Sequence, residues 1–311
     1  MTAIDLGLPT RLIELTLDGE AVSVPEGSTI LDACTASGKS IPTLCYGDTL
    51  QPKNACRVCM VEVEGSRTLV PSCSRSAEPG MVVRTGGDRV NHSRKMVLEL
   101  LGSSVDLSTT LDVAGWMADY DARPERFGEP APPAQSGAPQ VPQAGHHDVP
   151  DGLSAATVRR PPTVDNDLYV RDYGKCILCY KCVDACGEQW QNSFAITVAG
   201  RGFDAMISTE FSVPLTDSAC VYCGNCIEVC PTGALSTKRE FELREAGEFH
   251  ESRQTETTTV CTYCGVGCNL TLHVQDNEIF KVTSPHDSSV GHGNLCIKGR
   301  FGFQHVQNRE R

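Results

Sequence analysis

The sequence predicts an α+β protein assembled from several small modules, and three patterns indicate this fold class. Residues 11–25 alternate apolar and polar side chains on either side of Asp18-Gly19, the strongest short signal for a β-hairpin. Residues 88–101 have the period of an amphipathic helix, and Gly102 is its predicted end. Two similar cysteine-rich segments follow each other in the second half of the chain. We therefore expect separate modules that combine hairpins with short helices.

The 311 residues are enough for more than one hydrophobic core. A short helix is expected from Ser28 or Thr29 to Ala36, and Gly38 is expected to end it. From about residue 123 to 163 the composition shifts to Pro, Ala, Gly and Gln, which cannot bury enough apolar surface to offset the entropy of ordering the chain. We predict a first module over 1–102, a helix and a Pro/Ala/Gly-rich linker over 103–165, a second module over 166–247 and a third over 255–311.

A duplicated cysteine array is the most specific pattern in the chain. Cys176 to Cys186 reads CILCYKCVDAC and Cys220 to Cys230 reads CVYCGNCIEVC, so both have the spacing C-x2-C-x2-C-x3-C. Each copy places four soft thiolate ligands within eleven residues, a density that one tetrahedral zinc ion rarely needs. Iron–sulfur clusters are bound by this arrangement. The array therefore predicts two 4Fe–4S clusters, with structural zinc as the alternative.

The two arrays resemble those of bacterial-type two-cluster ferredoxins, in which the fourth cysteine of each array binds the other cluster. Pro231 follows Cys230 as in that family, whereas Gly187 follows Cys186, and glycine can make the same turn. The segments PLTDSACVYCGNC and CPTGAL look like the same unit in formate dehydrogenases and NAD-linked hydrogenases. The resemblance implies two crossed ligand sets, which are Cys176, Cys179, Cys182 with Cys230, and Cys220, Cys223, Cys226 with Cys186.

The first module carries four further cysteines, Cys45, Cys56, Cys59 and Cys73, at the spacing C-x10-C-x2-C-x13-C. With the segment CR-x-C-x-VEVEG, this spacing resembles the N-terminal domain of the NADH-quinone oxidoreductase large subunit and of related hydrogenases and formate dehydrogenases. The resemblance implies a β-grasp-like ferredoxin domain with one 2Fe–2S cluster on these four thiolates. Zinc stays the alternative, because a C-x2-C knuckle with two outlying cysteines also occurs in structural zinc sites.

The resembling families have a further cluster, held by one histidine and three cysteines, directly after the helix at 88–101. No cysteine occurs between Cys73 and Cys176, so that cluster is absent here. His92 is then expected to be a surface residue, and the pair His146-His147 a solvated part of the linker. Electrons must pass from the first cluster to the ferredoxin pair by another geometry, or the modules must pack more closely than in the relatives.

The last four cysteines, Cys261, Cys264, Cys268 and Cys296, have the spacing C-x2-C-x3-C-x27-C around a hairpin that turns at Asp276-Asn277. This segment is similar to the N-terminal 4Fe–4S domain of molybdenum or tungsten bis-pterin oxidoreductases, a small β-rich domain. Its ending, CIKGRFG, looks most like formate dehydrogenase alpha subunits. The resemblance implies a third 4Fe–4S cluster, and it places Lys298 on the electron path between that cluster and a pterin.

Seventeen cysteines first suggest a disulfide framework. The N-terminal residues lack the pattern of a secretory signal, and no apolar run approaches the ~20 residues of a membrane span. Both absences predict a soluble, cytoplasmic protein whose clustered cysteines are metal ligands. Cys34, outside all four sets, is expected to be a small buried hydrophobe. The formal net charge of −12 argues against nucleic acid as a partner.

Four sets of four cysteines predict one 2Fe–2S and three 4Fe–4S clusters, with no catalytic residue. We expect an electron-transfer subunit of a split, NAD-linked molybdenum or tungsten formate dehydrogenase. Its expected partners are a pterin-containing catalytic subunit and a flavin- and NAD-binding subunit, because the chain ends at Arg311, close after the last cysteine set. The alternatives are a subunit of an NAD-linked hydrogenase or a respiratory-complex-like assembly, a zinc scaffold, and a truncated chain.

Overall fold

The fold was obtained as a computed structural model, which describes residues 11–128, 146–147, 157–158 and 160–307. Within these ranges no helix is both long and apolar enough to cross a membrane. Four small sheets with helices packed on them carry the cysteine sets, and a two-stranded pair lies in the predicted linker. The predicted modular α+β fold is confirmed.

The first module is built on a mixed five-stranded sheet with strand order β2-β1-β5-β3-β4. The hairpin of β1 and β2 turns at Asp18 and Gly19, whose φ angles are 51° and 90°, as the Asp-Gly signal predicts. Helix α1 begins after Thr29, which forms a capping box with Asp32. The elements are β1 (Leu12–Leu17), β2 (Glu20–Pro25), α1 (Ile30–Ala36), β3 (Met60–Val63), β4 (Val70–Pro71) and β5 (Val82–Arg84).

Two helices, α2 (Asp88–Ser104) and α3 (Leu111–Asp119), follow the first sheet. The prediction that α2 ends at Gly102 is wrong, because the helix continues through this residue and is closed by Val105. A Cβ atom on Gly102 would lie 2.7 Å from a side-chain atom of Pro124, in a 3-10 turn that folds back on the helix. Glycine is needed here for close packing and not as a stop signal.

The segment predicted as a linker contains a short antiparallel pair, β6 (His146–His147) with β7 (Thr157–Val158). Val158 packs on the apolar cluster that also contains Leu98 of the first module and Ile177 of the second. The segment is therefore anchored at this point. Of the predicted linker, residues 129–145, 148–156 and 159 lie outside the described residues.

The second module has a three-stranded antiparallel sheet with strand order β12-β9-β8, and the two cysteine arrays lie beside it. Between the arrays, β10 and β11 form the predicted hairpin, in which Gly200 and Gly202 have φ angles of 69° and 59°. Its elements are β8 (Thr163–Val164), β9 (Tyr169–Arg171), α4 (Lys181–Cys186), β10 (Thr197–Ala199), β11 (Met206–Ser208), α5 (Asn225–Glu228), β12 (Leu235–Thr237) and α6 (Lys238–Glu245).

The third module is an antiparallel sheet of three strands in the order β13-β14-β15, followed by two short helices. The β14–β15 hairpin turns at Asp276 and Asn277, both with positive φ, as the sequence predicts. Its elements are β13 (Gln254–Val260), β14 (Asn269–Gln275), β15 (Glu278–Thr283), α7 (Ile297–Phe301) and α8 (Gln304–Gln307).

Polar contacts fix the first module on the second. The indole nitrogen of Trp190 donates to the carbonyl of Thr49 at 3.2 Å, and the backbone N–H of Gln51 donates to Gln189 at 2.7 Å. Lys53 forms an ion pair with Asp184 on α4 at 2.9 Å. These contacts hold the cysteine loop of the first module against the first array of the second.

Candidate iron–sulfur sites

The first cysteine set lies in a dry pocket of the first module, where Cys45, Cys56, Cys59 and Cys73 are each at most 7% exposed. The four thiols form two pairs. The Sγ atoms of Cys59 and Cys73 are 3.4 Å apart. Cys45 and Cys56 exchange contacts, since the backbone N–H of each lies 3.4 to 3.5 Å from the sulfur of the other. The sequence spacing alone does not reveal this pairing.

The hydrogen bond within each pair shifts the pKa values of its two thiols in opposite directions. The hydrogen bond with Cys45 lowers the pKa of Cys56 to about 6, and the one with Cys73 lowers the pKa of Cys59 to about 7. The same hydrogen bonds, together with burial, raise the pKa of Cys45 and of Cys73. Thiolate is the form that binds metal. Two close pairs of buried thiols fit a cluster of two irons with two protein ligands on each iron.

The first array of the second module is completed by a cysteine from the second array. Burial raises the pKa of Cys176 to about 12, and the next largest upward effect comes from Cys230. Cys230 also raises the pKa of Cys179 and of Cys182. The structure therefore brings together Cys176, Cys179, Cys182 and Cys230, the set that the ferredoxin resemblance implies.

The second array is in turn completed by a cysteine from the first array, Cys186. Burial raises the pKa of Cys226 strongly, and Cys223, Cys186 and Cys220 add to this effect in that order. Cys186 is the last residue of α4, one helical turn beyond Cys182, and this turn carries it toward the second loop. The thiols brought together here are Cys186, Cys220, Cys223 and Cys226.

The two loops repeat each other in backbone conformation as well as in spacing. Leu178 and Tyr180 have positive φ angles in the first loop, and Tyr222 and Gly224 have them at the corresponding positions of the second. Left-handed residues at alternating positions curl each loop so that its thiols converge. The hydroxyl of Tyr169 on β9 lies 3.6 Å from the sulfur of Cys220, so the second set also has a side-chain hydrogen-bond partner.

The last set lies at the surface of the third module. Cys261, Cys264 and Cys296 each raise the pKa of Cys268, after burial, so the four thiols face one another. Cys261 is buried, whereas Cys264 and Cys296 are exposed. Lys298, close after Cys296 in α7, is exposed too. The resemblance expects Lys298 beside this cluster, and the structure leaves it on the exposed side of the helix.

The donor chemistry of all four sets is thiol only. In the parts of the chain that the structure describes, no three His, Cys, Asp or Glu side chains are arranged to hold a single metal ion. Sulfur donors arranged in fours are the ligands of iron–sulfur clusters, which supply one-electron redox chemistry when bound. That these sixteen cysteines are the ligands remains a prediction, and the grouping of their side chains fits it.

Residues outside the sets behave largely as the sequence predicts. Cys34 is fully buried, and burial raises the pKa of its thiol to about 11, as expected for a small hydrophobe in the core. His92 is exposed on α2. The side chains of the pair His146-His147 lie outside the described residues.

Two functional relationships were missed by sequence reasoning. Cys56 of the first set and Cys179 of the second module lie in one apolar cluster, and Cys56 contributes to the raised pKa of Cys179. The first and second modules therefore pack against each other at this cluster. The second relationship is the burial of Arg300, which is only 1% exposed. Its place in the CIKGRFG segment was the signal that could have found it.

These sites define an iron–sulfur protein. Residues 10–87 match the family model of the 2Fe-2S iron-sulfur cluster binding domain, residues 175–234 that of the 4Fe-4S dicluster domain, and residues 254–308 that of the molybdopterin oxidoreductase Fe4S4 domain. Each of the three predicted modules therefore contains a domain of a known iron–sulfur family, and the three domains follow one another along the chain.

Curated relatives match nearly the whole chain. One component of the NADH-quinone oxidoreductase of Rhizobium meliloti is 32% identical over 96% of this chain and 32% of its own length. A putative formate dehydrogenase of Staphylococcus haemolyticus is 27% identical over 96% of this chain and 31% of its own length. The NADP-reducing hydrogenase subunit HndD of Solidesulfovibrio fructosivorans is 37% identical over 72% of this chain and 36% of its own length. The chain thus spans about a third of the length of these relatives.

A solved structure has the same fold over most of the chain. The crystal structure of an NAD+-reducing NiFe hydrogenase in the H2-reduced state matches with a TM-score of 0.56 and 23% identity. The match covers 73% of this chain and 87% of that one.

Proposed function

We propose that this chain is the iron–sulfur electron-transfer subunit of an NAD(P)-linked molybdenum or tungsten formate dehydrogenase. Its clusters relay single electrons between a pterin site and a flavin that exchanges electrons with the nicotinamide. The chain's own residues bind the clusters, exclude water from most of them and fix the distances between them.

The observation that carries this proposal is that the four thiol sets lie in neighbouring modules that pack against one another. The first set lies next to the first array, since Cys56 and Cys179 belong to one apolar cluster. The two arrays are interleaved by the exchange of Cys186 and Cys230. The second array is joined to the third module at Cys223, whose carbonyl lies 3.5 Å from Arg300. Single electrons pass between centres only when these are close together, and these contacts pack each cysteine-bearing module against the next.

The exposed end of this succession supports a pterin-containing partner. Cys264 and Cys296 are exposed, and apolar side chains surround them: Tyr263 is 41% exposed, Val266 62% and Ile297 39%. Exposed apolar groups around a redox centre are typical of a surface that a partner covers. Lys298 is also exposed, close after Cys296, and we propose that it acts between the terminal cluster and a pterin. The similarity of residues 254–308 to the molybdopterin oxidoreductase Fe4S4 domain supports a pterin partner.

Formate is the proposed electron donor because the putative formate dehydrogenases match over nearly the whole chain, third module included. We place the complex in the cytoplasm, because clustered cysteines that act as metal ligands are typical of a reducing compartment.

The test is to purify the native complex from its source and to measure its metals and its electron donors. We expect molybdenum or tungsten with a pterin, iron and sulfide sufficient for four clusters, a flavin, and NAD(P)+ reduction by formate. A fully active complex free of molybdenum, tungsten and pterin would contradict the proposal.

The second candidate is an NAD-linked hydrogenase. It is favoured by the 37% identity to the NADP-reducing hydrogenase subunit, the highest identity among the relatives described above. The two candidates differ in one assay: the hydrogenase reduces NAD(P)+ with hydrogen and not with formate, and contains nickel or additional iron in place of molybdenum or tungsten.

A further inference from the structure

Arg300 is the largest side chain that is fully buried in the described part of the protein. It lies in α7, four residues after Cys296, and its guanidinium reaches out of its own module into the second one. A buried cation is costly unless it is paired and hydrogen-bonded. The contacts that compensate Arg300 therefore indicate what the residue is for.

The guanidinium of Arg300 is held mainly by the second cysteine loop. Its Nη1 pairs with the carboxylate of Glu228 and donates to the carbonyl of Val282 at 3.1 Å. Its Nη2 donates to the Oδ1 of Asn225 at 3.2 Å, and its Nε lies 3.5 Å from the carbonyl of Cys223. Three of these four partners lie between Cys223 and Glu228, among the second-array cysteines.

Asn225 strengthens the same junction. It is only 1% exposed, and its Oδ1 also accepts a hydrogen bond from the backbone N–H of Leu295, directly before Cys296, at 3.1 Å. One amide oxygen thus joins both the start and the end of α7 to the second cysteine loop. Substitution of either Asn225 or Arg300 leaves buried polar groups without partners.

The second loop has room for the Arg300 side chain because a glycine, Gly224, faces it. Gly224 occupies the position that Tyr180 occupies in the first loop, and both residues have left-handed φ angles, of 72° and 65°. A Cβ atom on Gly224 would lie 2.9 Å from Cγ of Arg300 and 3.0 Å from the ring of Phe301. The two loops therefore differ at the point where the third module packs. The second loop has a glycine there, Gly224, and the first has a tyrosine, Tyr180.

We propose that Arg300 is a positioning residue for electron transfer between the cluster of the second loop and the terminal cluster. It fixes α7, which begins at Cys296, on the loop of Cys223, and its buried positive charge raises the reduction potential of the second-loop cluster. This role rests on the proposed electron-transfer function. Charge and hydrogen bonding near the sulfurs are among the levers that set cluster potentials.

The test compares Arg300→Met with Arg300→Lys in the full chain, with its clusters in place. Redox titration followed by EPR gives the potential of the second-loop cluster, and magnetic coupling between the reduced clusters reports their separation. We expect Arg300→Met to shift the one-electron equilibrium of that cluster about tenfold toward the oxidised form, which is 59 mV, and to weaken the coupling. Arg300→Lys keeps the charge and loses the forked hydrogen bonds, so it retains most of the potential and weakens the coupling.

The matched control is Arg171→Met. Arg171 is also a buried cation, 7% exposed, and pairs with Asp165 at 2.6 Å within the second module. Its loss removes the same kind of buried ion pair, and we expect the coupling between the second-loop and terminal clusters to stay unchanged.

A second variant keeps the proposal testable if Arg300→Met does not fold. Glu228→Gln leaves the Arg300 cation in place and removes its negative partner. The reduction potential of the second-loop cluster must therefore rise, opposite to the effect of Arg300→Met. Unchanged potential and coupling in folded Arg300→Met, or a downward shift in Glu228→Gln, overturns the inference. Wild-type protein without reducible clusters would instead contradict the electron-transfer function itself.

Discussion

The imidazole Nδ1 of His286 lies 2.7 Å from a carboxylate oxygen of Asp48, so that the third module is tied directly to the first. The same ring packs edge-on against Trp190 of the second module, at 6.2 Å between ring centroids. Its Nε2 lies 3.9 Å from Glu228, the partner of Arg300. All three modules therefore meet at one histidine, beside the two loops that carry the crossed sets.

Substitution of His286 by Asn is expected to loosen this junction without preventing folding. Because the side chains of His286 and Asp48 are 32% and 59% exposed, the loss in free energy of unfolding should be at most about 1 kcal/mol. Hydrogen exchange checks this: protection should fall around residues 47–50 and 285–293. His92→Asn, at an exposed site on α2, is the control, and equal exchange in both variants would contradict a linking role for His286.

A second junction between modules should weaken in acid. Glu240 on α6 is buried, which opposes its ionisation, yet Lys281 of β15 and Arg244 hold its pKa below the ordinary 4.5. Lys281 and Arg244 lie 3.2 and 2.8 Å from its carboxylate oxygens. Since the folded pKa is depressed, the stabilisation is fully present above the unfolded pKa and is lost as pH falls through the folded value.

The check is urea unfolding of wild type and Glu240→Gln between pH 7 and about pH 3. The wild type should be more stable near neutrality, and the difference should shrink as the pH falls below about 4.5. Glu245→Gln, an exposed position on the same helix, should show no such pH dependence. A difference that stays constant down to about pH 3 would show that ionised Glu240 does not stabilise the fold.

The hydroxyl of Tyr169 is expected to tune the second-loop cluster. It lies 3.6 Å from the sulfur of Cys220 and donates a hydrogen bond to it when the sulfur is a thiolate. Such a bond stabilises the more negative, reduced cluster, so Tyr169→Phe should lower its potential by about 30 mV, half of the 59 mV that a tenfold shift requires. EPR-monitored titration measures the change.

Tyr222→Phe provides the control for this measurement, because the Tyr222 hydroxyl donates to the carbonyl of Thr216 and not to sulfur. Equal potentials in the wild type and Tyr169→Phe would mean that the 3.6 Å contact does not act on the cluster.

The crossed sets predict that a cysteine substitution acts on the other array's cluster. Cys230→Ser should alter the EPR signal of the cluster at Cys176, Cys179 and Cys182, and leave the signal of its own loop closer to the wild type. Cys186→Ser should do the reverse. If each substitution altered only the cluster of its own array, the crossed assignment would be wrong.

The sequence predicted those features that depend only on neighbouring residues, such as the turns of the hairpins. Asp18-Gly19 and Asp276-Asn277 form the turns that their residue types favour, since these residues tolerate positive φ. The crossed grouping of the thiols came from the resemblance to two-cluster ferredoxins, and the positions of the thiols in the fold fit it.

The contacts between modules could not be predicted from the sequence, because they join residues that are far apart in the chain. Gly102 looks like a helix stop, yet it lies inside α2 because Pro124 packs on it. An alanine at this position would have to displace Pro124 and Met117, and overpacking of this kind typically costs about 1–3 kcal/mol. The burial of Arg300 depends on the loop of Cys223 and Gly224, and Cys223 lies 77 residues earlier in the chain.

The exposure of Cys264 and Cys296 has a consequence for the durability of the protein. The thiols of the first set are shielded from solvent, whereas these two are open to dissolved oxygen and chelators. Oxidation of cysteine follows its exposure and thiolate character. As ligands of the proposed terminal cluster, they make that cluster the first to decay in air. A subunit covering this surface would therefore also act as a shield, and the isolated chain would lose its terminal cluster while its buried ones survive.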